Sequence, residues 1–79
     1  MIHELKTWKE YFSEVFIGLK TFEVRLNDRD FQKDDILILK EWDNVKQEYT
    51  GRQLARQVSY ILHGGQFGIE QGFVVMAIK

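Results

Sequence analysis

A chain of 79 residues, of which 44% are hydrophobic and 14% aromatic, is expected to form one small globular domain spanning residues 1–79. Its 11 basic and 12 acidic side chains give a formal net charge of −1, which argues against reliance on long-range attraction to phosphate backbones. The absence of cysteine excludes a thiolate nucleophile and a Cys-ligated zinc site, and no apolar run approaches the ~20 residues that cross a bilayer.

The N-terminal part is predicted to contain a short edge strand followed by a helix. The strand would cover Ile2 to Lys6. Thr7-Trp8-Lys9-Glu10 matches a capping box, so we expect a helix of about ten residues to begin there. Gly18 would end this helix in the left-handed conformation. The buried helix face would consist of the apolar residues at helical spacing, Trp8, Tyr11, Phe12, Val15 and Phe16.

The next segment alternates apolar and polar residues, which predicts a strand with one buried face. We expect Phe22, Val24 and Leu26 on the buried face, and Thr21, Glu23 and Arg25 on the polar face. The polar face has two interpretations: a surface ion pair worth ~0–1 kcal/mol, or the lining of a cleft. Lys20, directly before the strand, would either compensate the helix dipole or project into that cleft.

No metal site and no cofactor are expected. Asn27 to Asp30 reads as a loop, and its alternating charges are typical of a solvated turn rather than of a Mg²⁺ site. His3 and His63 are far apart in the chain and lack the spacing of zinc ligands. The segment HGGQFG, from His63 to Gly68, has no Walker lysine and is predicted to be a turn.

The C-terminal two thirds of the chain are predicted to be β-structure. Asp35 to Trp42 is apolar on both faces and is expected to be a central strand. Asp43 to Gly51 reads as a hairpin connection with a short strand near Tyr49, and Phe73 to Ile78 as a final buried strand. Between them, one face of residues 53–63 would carry Leu54, Val58, Tyr60 and Leu62.

These elements together predict an α+β fold: a small, curved sheet or open β-barrel of five to six strands with one early helix. The predicted core consists of Phe12, Phe16, Phe22, Val24, Ile38, Val58 and Val75. A core of this size without disulfides leaves room for a homodimer, and the absence of cysteine is compatible with a cytoplasmic location.

Five blocks of the sequence resemble the DUF3850 family of small bacterial and phage proteins, an ASCH domain group within the PUA-like superfamily. They are "HELKTW", "GLKTFEVRLNDRDF", "DDILILKEWD", "YTGR" and "YILHGGQFGIEQGFVVMAIK". The resemblance covers essentially the whole chain. It implies a PUA-like β-barrel with a ligand cleft beside the helix, and a role in binding RNA or a modified nucleotide.

The family signature G-x-K-T-x-E-x-R corresponds to Gly18 through Arg25 and would line this cleft. Some ASCH relatives are amidohydrolases that deacetylate acetylcytidine with a lysine in this block, a threonine three residues later and a later glutamate. Lys20 matches the lysine, Glu23 stands at the threonine position, and Glu70 is the candidate for the later glutamate.

Three function classes therefore follow from the sequence. The leading one is an RNA- or nucleotide-binding module whose ligand-binding residues are Lys20, Thr21, Glu23, Arg25, Arg29, Tyr60 and Gln66. The second is a small amidohydrolase for a modified pyrimidine nucleoside, with Lys20 and Glu23 as catalytic residues. The third is a protein-interaction barrel in which the polar stretch is only a structural ion network.

Overall fold

One helix and five strands account for most of the computed structural model, which describes all of residues 1–79. In chain order they are β1 (Ile2–Trp8), α1 (Lys9–Phe16), β2 (Phe22–Leu26), β3 (Ile36–Asp43), β4 (Glu48–His63) and β5 (Phe73–Ile78). The strands form one mixed sheet in the order β1-β3-β4-β5-β2, in which only β1 and β3 are parallel. The predicted α+β class, the five strands and the early helix are confirmed.

The 16-residue strand β4 is shared by both halves of the sheet. Its first part pairs with β3 up to Gln57, and its second part pairs with β5 from Val58 onward. A β-bulge lies at the change of partner, because Val58 and Tyr60 face consecutive residues of β5. The bulge turns Tyr60 to the outside of the sheet, where its side chain is exposed. The predicted placement of Tyr60 on the same face as Val58 is therefore wrong.

The sheet is strongly curved but open. Its two edge strands, β1 and β2, share no backbone pairing. Side chains bridge the gap between them: Arg25 Nη1 donates to Lys6 O at 3.0 Å and Arg29 Nη1 donates to Glu4 O at 2.7 Å. Because the edges meet only through these arginines, the structure has a curved open sheet rather than a closed barrel.

The core lies on the concave side of the sheet, where α1 covers part of it. It comprises Leu5, Phe12, Val15, Phe31, Leu37, Leu39, Val58, Val74, Met76 and Ile78. Of the seven predicted core residues, Phe12 and Val58 are buried here. Ile38 and Val75 are half-buried on the opposite side of the sheet, one position out of phase with the true core residues.

The prediction was wrong for Phe16, Phe22 and Val24, which are exposed. Phe16 is exposed because α1 is short and packs mainly against β1 and β3, so that its buried residues are Phe12 and Val15. The Phe16 ring lies beside the Arg52 guanidinium of β4, whose Cζ atom is 5.2 Å from the ring centroid. Phe22 and Val24 are exposed because β2 turns its polar residues to the concave side. The predicted strand is present, but its buried and exposed faces are the reverse of the prediction.

The start of the helix also differs from the prediction. The helix begins at Lys9 with Trp8 as the N-cap residue, and no side chain caps it. Thr7 belongs to β1, and its hydroxyl donates to Leu5 O at 3.3 Å instead of accepting from the helix. The capping-box prediction is therefore wrong, whereas Gly18 does follow the helix with a φ of +85°.

Asp35, just before β3, holds the beginning of β1. His3 Nε2 lies 2.8 Å from its Oδ2 atom, the Gln32 amide donates to the same oxygen, and the amino group of Met1 lies 3.1 Å from Oδ1. Burial raises the pKa of Asp35, but the hydrogen bonds from His3, Gln32 and the amino group outweigh it and lower the pKa to about 2. No helix of the structure has the length and apolar character that crossing a membrane requires.

Candidate functional site

A cleft of about 440 Å³ opens between the end of β1, the beginning of α1 and strand β2. This position is the gap between the two unpaired edges of the sheet. Its lining combines charged, hydroxyl and aromatic side chains: Lys6, Thr7, Trp8, Tyr11, Lys20, Glu23, Val24 and Arg25. The volume lies within the range of clefts that hold a small molecule.

Glu23 forms the floor of the cleft between two cations. Its side chain is only 4% exposed. Lys20 Nζ donates to Oε2 at 2.6 Å, and Arg25 donates to Oε1 through Nε at 3.0 Å and Nη2 at 2.8 Å. A carboxylate can be buried when charged donors satisfy it in this way, which is why β2 can turn its polar face inward.

Arg25 also connects β2 to β1. Its Nη2 atom donates to Thr7 Oγ1 at 3.1 Å, in addition to the Nη1 bond to Lys6 O. The planar guanidinium is thus fixed at both edges of the sheet. Lys20 is fixed as well, since Nζ donates to the carbonyl of Phe22 at 2.7 Å. The cationic groups are therefore held in place before any ligand arrives.

These contacts leave a small, countable set of unused hydrogen-bonding positions. Lys20 has three N–H groups and uses two, and Arg25 has five and uses four. A carboxylate has about four lone-pair sites, of which Glu23 uses three. Two donors and one acceptor of these three side chains are therefore not used within the chain.

Two aromatic side chains stand beside this polar floor. Trp8 is 48% exposed and Tyr11 is 54% exposed, although their helical spacing predicts burial. They line the cleft because α1 covers only the end of the sheet, which leaves this side of the helix over the gap. Exposed aromatic faces beside a polar floor are suited to a flat ligand.

The predicted site residues fall into two groups. Lys20, Glu23 and Arg25 come together in the cleft, as described. The other four lie elsewhere: Thr21 is exposed and its carbonyl accepts from Ile78, Arg29 reaches Glu4 O, Tyr60 is exposed on the convex side, and Gln66 donates to His63 O in the β4–β5 loop. The Glu70 carboxylate is not in the cleft either.

The cleft lies beside the helix, as the family resemblance implies, but the sequence did not indicate which side chains of β1 and α1 line it. The patterns place Lys6, Thr7, Trp8 and Tyr11 in an edge strand, a cap and a buried helix face. Arg25 and Thr7 are 18 residues apart, so their contact depends on the path of the whole sheet. The exposed side of the short helix carried no sequence signal of its own.

A second buried carboxylate, Glu41, lies outside the cleft. Arg52 donates to both of its oxygens, at 3.0 and 3.1 Å, and Thr50 Oγ1 donates at 2.6 Å. The hydrogen bonds from Arg52 lower the pKa of Glu41, against the opposing effect of burial. No three His, Cys, Asp or Glu side chains of the structure are grouped so that they could hold a metal ion.

Comparison with known proteins gives two matches. The family model described as "Domain of unknown function (DUF3850)" matches residues 2–78. A protein of Escherichia phage P2, named "Uncharacterized 12.9 kDa protein in GpA 3'region", is 40% identical over 58 residues, which cover 73% of this chain and 51% of the phage protein. The chain thus spans about half the length of this curated relative.

Proposed function

We propose, on the premise that this chain belongs to the DUF3850 family, that its cleft binds a nucleoside or nucleotide, alone or within a short RNA strand. We also propose that its curved sheet is of the ASCH type within the PUA-like superfamily. The observation that carries the binding proposal is the composition of the cleft: a fixed polar floor with two free donors and one free acceptor, next to two exposed aromatic rings.

The aromatic rings suit the face of a base. Base stacking on an aromatic side chain is worth ~1–3 kcal/mol for each base and does not depend on its identity. Trp8, at the end of β1, and Tyr11, in the first turn of α1, both line the cleft. One base between or against these rings would cover apolar surface that is otherwise exposed to water.

The free hydrogen-bonding positions match the edge of a pyrimidine in number. Cytosine presents two acceptors, O2 and N3, and the amine donor at N4, and uracil presents two acceptors, O2 and O4, and the donor at N3. Lys20 and Arg25 would donate to the two acceptors, and Glu23 would accept from the donor of either base. A base that lacks this set would leave buried polar groups unpaired, which is a strong source of discrimination.

A small amidohydrolase acting on an acylated cytosine is the second candidate, and the Lys20–Glu23 contact favours it. Their 2.6 Å separation, inside a cleft with room for a substrate, is the arrangement needed to hold and transfer a proton. The threonine hydroxyl of the cleft comes from Thr7 rather than from the signature segment. Hydrolysis would release an acid and leave the cytosine amine facing Glu23.

Thermal-shift measurements with cytidine, uridine and N4-acetylcytidine test the binding proposal, because a ligand that binds only the folded state raises Tm by mass action. We expect a shift with a pyrimidine nucleoside, and loss of the shift in Lys20→Ala. Lys40→Ala is the matched control, since Lys40 is also paired with a glutamate but lies away from the cleft. The absence of a shift with every pyrimidine nucleoside, or a shift unaffected by Lys20→Ala, would contradict the proposal.

Salt dependence separates a single-base cleft from an extended RNA surface. Each neutralised phosphate contributes a slope of roughly −0.7 in log affinity against log salt for a single strand. We expect a slope no steeper than about −2 for a short RNA, because Lys6, Lys20 and Arg25 are the cations that line the cleft. A slope of many units would instead place the RNA on a broader surface.

Product analysis decides between binding and hydrolysis. N4-acetylcytidine is incubated with the protein and the appearance of cytidine is followed by chromatography. Cytidine formed by the unmodified chain and lost in Lys20→Ala would establish the amidohydrolase. Binding of the nucleoside without conversion to cytidine would support a binding module. The absence of binding to any nucleoside or RNA would favour the protein-interaction alternative.

A further inference from the structure

The convex side of strands β2, β5 and β4 carries an apolar surface. Its edge on β2 adjoins the cleft, since Val24 also lines the cleft and Lys20 Nζ lies 4.9 Å from the Phe22 ring centroid. It is formed by eight side chains, none of them charged: Phe22, Val24, Leu26, Tyr60, Leu62, Phe73, Val75 and Ala77. Phe22 is 45% exposed, Val24 51%, Leu26 52% and Tyr60 64%. We call these eight residues the apolar face.

The other half of the same convex side is different. On β1 and β3 the apolar residues Ile2, Ile36 and Ile38 alternate with Glu4, Lys6 and Lys40. Lys40 Nζ lies 3.3 Å from Glu4, and Lys6 Nζ lies 4.0 Å from the Trp42 ring centroid. This half has the mixed charges expected of a surface that faces water. The absence of charge on the apolar face is therefore a local property and does not reflect the composition of the chain.

The fold itself does not require the apolar face. Inward placement of Glu23 and Arg25 turns the even-numbered positions of β2 outward, but polar residues could occupy outward positions without disturbing the sheet. Instead Phe22, Val24 and Leu26 stand there, and their neighbours across β5 are apolar as well. Eight apolar residues at positions free to be polar indicate a surface that is covered.

A hairpin tip adds an aromatic knob at one end of this face. Ile69 N donates to Gln66 O, and both residues between them have positive φ, +53° for Phe67 and +76° for Gly68. This is a type I′ turn, whose first central position normally holds Asn, Asp or Gly. Phe67 occupies it with a side chain that is 84% exposed. A strained, exposed aromatic residue indicates a contact made outside the chain.

A groove lies beside this knob. Gly68, Ile69 and Glu70 of the hairpin line it together with Val24, Phe73 and Val75 of the apolar face, and its volume is about 330 Å³. A phenyl ring fits in a space of this size. The Phe67 knob and the groove are adjacent on one chain. A two-fold axis that passes between them would place each knob at the groove of the other copy.

We infer that the apolar face is the interface of a homodimer, in which two copies pack face to face and each Phe67 enters the groove of its partner. The exposed parts of Phe22, Tyr60 and Phe67 amount to ~400 Å², taking ~200 Å² for a whole aromatic side chain, and Val24 and Leu26 increase this further. A stable interface takes ~800 Å² from each partner, including its polar rim. The apolar face therefore supplies the central part of such an interface.

Packing through the face is favoured over pairing of the β2 edges. Thr21 O accepts from Ile78 and Asn27 N donates to Gly72 O, so the backbone of the odd-numbered residues faces β5 and that of the even-numbered residues faces outward. Two of the outward carbonyls already accept hydrogen bonds within the chain: Phe22 O accepts from Lys20 Nζ, and Leu26 O accepts from the Asp28 amide. Only Val24 keeps an open carbonyl, which is too little for a strand ladder.

Light scattering coupled to size-exclusion chromatography, over a wide range of micromolar concentrations, tests this inference on the full chain. We expect a mass of twice 9.4 kDa for the unmodified protein. Phe67→Asn should give a monomer. At concentrations low enough for both chains to be monomeric it should be the more stable of the two, because Asn is favoured in the left-handed turn position. Tyr60→Asp, at the other end of the apolar face, should also give a monomer. Val45→Asp is the control, since Val45 is 78% exposed in the β3–β4 turn.

Three results would overturn the homodimer. The first is a mass of 9.4 kDa for the unmodified chain at every concentration. The second is a dimer that persists in both Phe67→Asn and Tyr60→Asp, because the interface would then lie elsewhere. The third is dissociation of Val45→Asp to the same extent, because association would then not depend on the apolar face. The opposite effects of Phe67→Asn on stability and on association keep the test independent of folding defects.

Discussion

Replacing Glu23 with Gln should destabilise the fold, because it removes the charge between Lys20 and Arg25 while keeping the shape. Removing one partner of a buried ion pair lowers the free energy of unfolding by ~3–5 kcal/mol. The side chains of Lys20 and Arg25 are 18% and 24% exposed, so water can partly solvate them in the variant. We therefore expect a loss of ~2–3 kcal/mol. At ~4–8 °C per kcal/mol for a domain of this size, Tm should fall by roughly 10–20 °C.

Thermal and urea unfolding followed by circular dichroism would measure this change. The matched control is Glu4→Gln, because Glu4 is also paired with a lysine, Lys40 at 3.3 Å, but its side chain is 67% exposed. An exposed pair of this kind contributes ~0–1 kcal/mol, so Glu4→Gln should leave Tm nearly unchanged. If Glu23→Gln lowers Tm no more than Glu4→Gln does, the reasoning that the buried carboxylate holds β2 in its orientation is refuted.

Three further changes test other parts of the fold. Phe12→Ala should cost ~3–5 kcal/mol in urea unfolding because the ring is fully buried, whereas Phe16→Ala, 58% exposed, should cost ~1 kcal/mol or less; equal losses would contradict the observed core. The lowered pKa of Asp35 should stabilise the fold by ~2 kcal/mol above about pH 4, and this contribution should disappear as pH falls from about 4 to 2. Urea midpoints across this range should fall less steeply with pH in Asp35→Asn than in the unmodified chain; the remaining dependence comes from other carboxylates with lowered pKa values, such as Glu41. Gly64→Ala should cost ~1–3 kcal/mol or more, because a Cβ atom there would lie 2.0 Å from Glu70 O, and an unchanged Tm would show that the hairpin adjusts freely.

Local patterns predicted the elements of this fold well but placed several side chains wrongly. Alternation identified β2, yet hydrophobicity alone assigned Phe22 and Val24 to the core. That assignment assumes that a charged residue such as Glu23 cannot be buried. The assumption fails when Lys20 and Arg25 satisfy the carboxylate from the same short segment, so the reversal of faces is a property of the side-chain network.

The cleft was predictable only in its local part. Lys20, Glu23 and Arg25 lie within six residues and were grouped correctly by their polarity. Trp8 and Tyr11 were not, because their helical spacing is also that of a buried stripe, and only the position of α1 at the end of the sheet distinguishes the two. The bulge that turns Tyr60 outward likewise depends on the change of partners along β4, which no local pattern encodes.

The shared strand β4 has a mechanical consequence for the cleft. Within the sheet, the two halves share strand pairing only through β4, and the bulge near Ser59 marks the point where one half passes into the other. A change in the bend of β4 at this point would move the edge strands β1 and β2 relative to each other. The cleft lies between these edges, which Arg25 and Arg29 bridge by donating to β1. A shorter side chain at position 25 would lose its bonds to β1, so that the spacing of the edges beside the cleft would then depend on Arg29.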